Sequence, residues 1–119
     1  MANPVTQWQV ITKDPAKHSQ FYSSVFGWNL RSDNPLGYRM VDPEPGGIVG
    51  GFRPAPPEAQ AFVQLFIEVP DMAETVGKVT KNGGSVLIPP QTLPAGEQMA
   101  ILRDPMGISF GLVMPGKKS

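Results

Sequence analysis

Side chains that could do acid–base or metal chemistry are few in this sequence, and they lie far apart. There is no cysteine, which removes thiolate nucleophiles, disulfides and cysteine metal sites together. His18 is the single histidine. Imidazole serves as a base or a metal ligand near neutral pH, but only beside partners. His18 sits at helical spacing from Phe21 and Tyr22 and reads as the edge of a packed stripe. Glu68 alternates with Gln64 and Phe66 in "AFVQLFIEV" (61–69), so the three share one face of a strand. There its carboxylate is either a general base or cation seat, or a solvated residue at the rim. Glu44 precedes Gly46 and Gly47 and reads as loop surface. "GGIVGG" (46–51) lacks the lysine and following Ser/Thr of a phosphate loop, and no helix follows it.

Composition narrows the classes further. A chain of 119 residues, 40% of them hydrophobic, is expected to make a single domain with a core that needs no metal or disulfide support. Ten basic and ten acidic residues leave a formal net charge of zero, so no broad field draws nucleic acid or an anionic membrane. The start, "MANPVTQWQV", has no basic region leading into an apolar run. No apolar segment approaches the roughly 18 residues of a membrane span. A cytoplasmic protein without nucleic-acid or membrane partners is the expectation. The closing "GKKS" reads as a frayed tail. Fourteen prolines and thirteen glycines imply short elements with tight connections.

The elements that must position any site occur twice. "VTQWQVIT" (5–12) is rich in β-branched and aromatic residues and reads as a strand. Asp14 then caps a helix whose first position takes Pro15, and Gly27 ends it. In the second half a strand over 61–69 leads to the cap Asp71, with Glu74 completing a capping-box pattern, and Asn82-Gly83-Gly84 ends the helix. Asp14 and Asp71 are 57 residues apart (71 − 14), as are Gly27 and Gly84 (84 − 27). "DPEPGGIVGGF" (42–52) and "DPMGISFGL" (104–112) repeat the same phrase, with Gly51 and Gly111 offset by 60 (111 − 51). Each half thus reads strand, helix, then three strands, about 28–32, 37–41 and 47–53 in the first and 85–88, 97–103 and 107–113 in the second. The first module covers about 4–53 and the second about 61–114, joined by a proline-rich linker, 54–60, within "RPAPPEAQ". The fold class predicted is α+β. Two βαβββ modules form one curved mixed sheet with a cleft on the concave face and the helices on the outer face. Trp8, Val10, Leu65, Ile67, Ile108, Phe110 and Leu112 are expected on the helix side, and Gln7, Gln9, Tyr38, Met40, Gln64, Phe66, Glu68 and Ser109 on the cleft side.

Three segments carry a resemblance to a known family. "DPAKHSQFYSSVFGWNL", "FIEVPDMAETVGKVTKNGG" and "LRDPMGISFGL", in this order, resemble the vicinal oxygen chelate superfamily of glyoxalase I, bleomycin resistance proteins and extradiol dioxygenases. In its metal-dependent members, four side chains from the first and last strands of the two modules hold a divalent metal. Counting seven residues back from each capping aspartate places Gln7 and Gln64 at two of these positions, and the closing strands place Gly51 and Gly111 at the others. Divalent metals want anionic or imidazole donors. Two amides and two glycines supply neither, so no metal and no cofactor is expected. The glycines are expected to open volume on the cleft floor.

The resemblance therefore implies a metal-independent small-molecule-binding protein of the glyoxalase/bleomycin resistance type, working as a homodimer. The cleft residues would be Gln7, Gln9, Tyr38, Met40, Gly51, Gln64, Phe66, Glu68, Ser109 and Gly111, and the ligand a small organic molecule. A divergent lyase, isomerase or dioxygenase of the same superfamily, and a partner-binding module, are the other readings.

Overall fold

The computed structural model describes residues 2–32, 37–43, 45–55 and 60–116. Glu44, the middle of the proline-rich segment (56–59) and the C-terminal residues 117–119 lie outside the described residues. The elements run β1 (Val5–Thr12), α1 (Pro15–Phe26), β2 (Leu30–Arg31), β3 (Arg39–Val41), β4 (Val49–Pro54), β5 (Phe62–Glu68), α2 (Met72–Lys81), β6 (Ser85–Thr92), β7 (Gln98–Arg103) and β8 (Ser109–Met114). Among the described residues two helices and eight strands, paired both parallel and antiparallel, make an α+β fold of two βαβββ modules. The chain forms two compact units: an N-terminal unit, Gln7–Gln64, and a C-terminal unit, Leu65–Ser119 together with Met1–Thr6.

Both helices begin where the sequence provides free acceptors for their first amides. Asp14 accepts from the Lys17 amide at 3.0 Å, and Pro15 occupies a first-turn position that needs no N–H. Gly27 closes α1 in the left-handed region, φ 73°, its N–H donating to Ser23 O at 2.9 Å. In α2, Asp71 accepts from the Glu74 amide at 3.0 Å, and the Glu74 carboxylate reaches forward to Lys78 at 3.3 Å.

In the N-terminal unit the strand order is β2-β3-β4-β1, with β1 and β4 parallel and the other pairs antiparallel. Strand periodicity puts Trp8, Val10, Gly50 and Phe52 on one face. That face forms a core of Val10, Val41 and Phe52 with Trp8, Tyr22, Trp28 and Leu30 around it. α1 supplies Tyr22, stacked on Trp28 at 5.6 Å and 11°. His18 packs its ring 5.6 Å from Phe52 and shares a 3.0 Å hydrogen bond with Thr12 Oγ1. The histidine is thus a structural member of the helix-packed layer. Gly50 lies under the Trp8 indole, whose six-membered ring occupies the space a Cβ would need. Gln7, Gln9, Ile11, Val49, Gly51 and Arg53 take the opposite, helix-free face.

The C-terminal unit repeats the pattern in the order β5-β8-β7-β6, with β5 and β8 parallel. Its core is Val69, Met72, Ala100, Leu102 and Leu112, flanked by Ile67, Val76, Val79, Phe110 and Met114. Phe66, Glu68, Ile101, Ser109, Gly111 and Val113 alternate onto the other face.

Four details differ from the sequence-based expectation. β4 continues one residue further, to Pro54, which pairs with Thr12 at the strand end and is spared a ladder donor it lacks. β6 runs to Thr92 through Pro89 and Pro90; it is outermost in its unit's order, and register shifts at Val86/Ile88 and Ile88/Gln91 absorb the prolines. Leu65 is 50% exposed because α2 packs over β6 and β8. Ile108 is 65% exposed because it sits in the turn before β8, its amide bound to Asp104 Oδ1 at 3.0 Å.

Replacing either cap, Asp14→Ala or Asp71→Ala, is expected to destabilise the protein by about 1 kcal/mol. Urea denaturation followed by circular dichroism measures it, and no change in midpoint would count against the caps.

Candidate functional site

With the helix-packed faces filled by apolar side chains, polar groups that could meet a ligand concentrate on the opposite faces. In the N-terminal unit that face runs across β1 and β4: Gln7 opposite Val49, Gln9 opposite Gly51, Ile11 opposite Arg53. Met40 of β3 pairs with Gly51 from the other side. Gln9 Nε2 donates to Gln7 Oε1 at 3.2 Å, and Gln9 Oε1 is buried with no hydrogen-bond partner among the described residues. Gln64 is 2% exposed, and its Oε1 lies 3.5 Å from Arg53 Nη2. Tyr38, one residue before β3, is half-buried. Six of the ten predicted site residues, Gln7, Gln9, Tyr38, Met40, Gly51 and Gln64, therefore belong to this one unit.

Phe66, Glu68, Ser109 and Gly111 belong to the C-terminal unit. Phe66 faces Gly111, and Glu68 faces Val113, across the β5–β8 pair. Ser109 faces Arg103 on β7. Phe66 is completely buried, and its ring lies over Gly111 in the space a Cβ would need. The expectation that Gly111 opens volume is therefore corrected. The missing side chain makes room for a neighbouring ring, as glycine does where another group approaches closely. Gly51 is less confined: a Cβ there would meet Met40 Sδ at 3.1 Å and Arg39 O at 3.3 Å. The two repeated glycines thus share a sequence position and do different jobs.

Arg53, the last residue of the strand expected over 47–53, is not among the cleft residues expected from sequence. The period-two pattern of β4 carries it two residues beyond Gly51, onto the same face. It adds a cation to a face of amides and a thioether. Among the described residues no group of three or more His, Cys, Asp or Glu side chains is arranged to hold a metal ion. The ion pairs found there are Arg31–Asp42, with the guanidinium half-exposed, and the exposed Lys78–Glu74 pair, of a kind that contributes little.

This fold and these motifs define a family. The Glyoxalase/Bleomycin resistance protein/Dioxygenase superfamily matches over residues 4–112, and the chain belongs to it. Among curated proteins it is 31% identical over 109 residues to the "Putative glyoxylase CFP32" of Mycobacterium bovis, and equally to that of Mycobacterium tuberculosis. The match covers 85% of this chain and 41% of each relative, so the chain spans about two-fifths of their length. Among solved structures, the hypothetical protein BH1468 from Bacillus halodurans has a TM-score of 0.71 at 17% identity, covering 100% of this chain and 99% of that one. A Streptomyces coelicolor methylmalonyl-CoA epimerase in complex with 2-nitronate-propionyl-CoA has a TM-score of 0.64 at 14% identity, covering 98% and 100%. At such identities the likeness is one of fold. No helix among the described residues is long and apolar enough to cross a membrane.

The contrast between the two glycines is measurable. Gly111→Ala should destabilise the protein by about 1–3 kcal/mol, the usual range for overpacking. Gly51→Ala should cost less than about 1 kcal/mol, because the flexible Met40 side chain can yield. Equal costs in thermal or chemical denaturation would contradict this placement of the Phe66 ring.

Proposed function

We propose that the protein is a metal-independent binder of a small organic molecule, of the glyoxalase/bleomycin resistance type, with the ligand on the helix-free face of the sheet. The observation that carries this is the donor set. At the positions where metal-dependent relatives are expected to place ligands, this chain has Gln7, Gln64, Gly51 and Gly111. Two neutral amides bind a divalent ion weakly, and the glycines bring no side chain. The Gly111 position is filled by the Phe66 ring, so no water-filled coordination site replaces the missing donor there. The amides, the Met40 thioether and Arg53 are instead the mixture of polar and apolar groups that fixes an organic ligand.

An enzyme reading, a divergent lyase, isomerase or dioxygenase, is favoured by the 31% identity to the mycobacterial relatives. It requires an acid or base, and Glu68 is the carboxylate that the strand alternation puts on a helix-free face. A cytoplasmic homodimer completes the proposal. Its support is the apolar strip on α1, where Phe21, Val25 and Phe26 are 59%, 57% and 60% exposed. Light scattering is expected to give twice the chain mass at micromolar concentration, and a monomer would contradict the dimer.

Equilibrium dialysis against Zn²⁺, Ni²⁺ or Mn²⁺ followed by elemental analysis is expected to leave far less than one equivalent per chain. About one equivalent, lost in the Gln7→Ala and Gln64→Ala variants, would overturn the metal-independent reading.

A further inference from the structure

The surroundings of Arg53 and Gln9 narrow the class of ligand, and this step rests on the small-molecule reading above. Arg53 is half-buried near the end of β4. A guanidinium presents five N–H donors in a planar fork and accepts nothing. Here the contact found is a single one, to Gln64 Oε1, at 3.5 Å, the outer limit of a hydrogen bond. The ion pairs among the described residues, Arg31–Asp42 and Lys78–Glu74, do not involve it. The side chains that share its face or touch it are the neutral amides Gln7, Gln9 and Gln64, the aliphatic Ile11 and Val49, and the thioether Met40. A partly desolvated cation set among neutral groups is best matched by an anion from outside, and the planar fork fits a carboxylate through two parallel bonds.

A second unmet group stands beside it. Gln9 Oε1 is buried without a partner among the described residues, and an unmatched buried polar atom is costly to leave unmet. The Gln7 and Gln9 amides, joined at 3.2 Å, can turn over together, so this buried end offers either an acceptor or a donor. A hydroxyl satisfies both cases, because it donates and accepts. Gln9 faces Gly51 and Arg53 faces Ile11, which makes Gln9 and Arg53 diagonal neighbours on adjacent strands, roughly 7–8 Å apart at the backbone. Both side chains leave the same face, at a spacing that one small molecule can bridge. Gly51 puts no side chain between them, and Met40 lies against it, a soft apolar surface for the rest of the ligand.

We infer that the helix-free face of the N-terminal unit binds a small hydroxy-carboxylic acid. The carboxylate sits on the Arg53 fork, the hydroxyl meets the Gln9 amide and the apolar body rests on Met40. Isothermal titration with mandelate and with its neutral counterpart, mandelamide, tests this on the wild type and on Arg53→Gln and Arg53→Lys. Mandelate is expected to bind the wild type saturably. Binding should weaken by about tenfold or more in Arg53→Gln, as loss of a charge-assisted hydrogen bond entails, and less in Arg53→Lys, which keeps the charge but not the fork. Mandelamide should bind the wild type at least about tenfold more weakly than mandelate, for the same reason, and be indifferent to Arg53→Gln. Equal binding of acid and amide, or mandelate binding unchanged in Arg53→Gln, overturns the acid inference while leaving the small-molecule reading in place. No saturable binding of either compound by the wild type overturns both. Thermal melts check that the variants fold; should Arg53→Gln fail to fold, the acid-against-amide comparison on the wild type and Arg53→Lys decides.

Discussion

The Trp8 indole lies across Gly50 where a side chain would have no room, and that contact fixes which way β1 and β4 face. A strand has a period of two, so a one-residue slip would turn every side chain over. With Trp8 packed edge-on against Phe52 at 5.8 Å and beside Trp28 at 5.3 Å, the aromatic face belongs to α1. Gln7, Gln9, Gly51 and Arg53 are then committed to the other face, two strands wide and free of helix. The chemistry open to the N-terminal unit follows from this one choice of side. Its polar residues are gathered because its aromatic residues are packed elsewhere.

The C-terminal unit has the same order of elements and uses a ring and a glycine in the same way, but on the opposite face. There Phe66 lies over Gly111, and with Ile101, 4% exposed, it turns the helix-free face apolar. The two modules share the backbone plan, the aspartate caps and the pairing of the first strand with the last. They do not share the surface. The two modules are equivalent in register, Gln9 opposite Gly51 and Phe66 opposite Gly111. They are unequal in chemistry, because one has an amide where the other has a phenyl ring. The candidate ligand groups therefore fall mostly in the N-terminal unit.

Much of this was legible from residue types. Asp14 with Pro15, and Asp71 with Glu74, mark helix starts by a mechanism that acts within one turn, and both helices begin there. Alternation in β1 and β5 correctly divided Trp8 and Val10 from Gln7 and Gln9, and Ile67 from Phe66. The errors share one physical origin, which is contact between residues distant in sequence. An absent side chain at Gly111 looks like space until the ring of Phe66, 45 residues earlier (111 − 66), is found in it. Pro54 looks like the start of the linker, yet pairing with β1 holds the strand through it. Pro89 and Pro90 look like a strand end, yet outermost in its unit's order β6 tolerates missing donors and continues. Leu65 has the right alternation for the core and lacks only a helix above it.

That the helix-free face of the N-terminal unit is the ligand surface is tested most directly by nuclear magnetic resonance of the nitrogen-labelled protein during titration with mandelate. The predicted result is progressive shifts of the Gln9 side-chain amide, the Gly51 backbone amide and the Arg53 guanidinium signal, with the Trp8 and Trp28 indole signals unmoved. Shifts centred on the indoles, or on Phe66 and Gly111, with the Gln9 and Arg53 signals stationary, would contradict it.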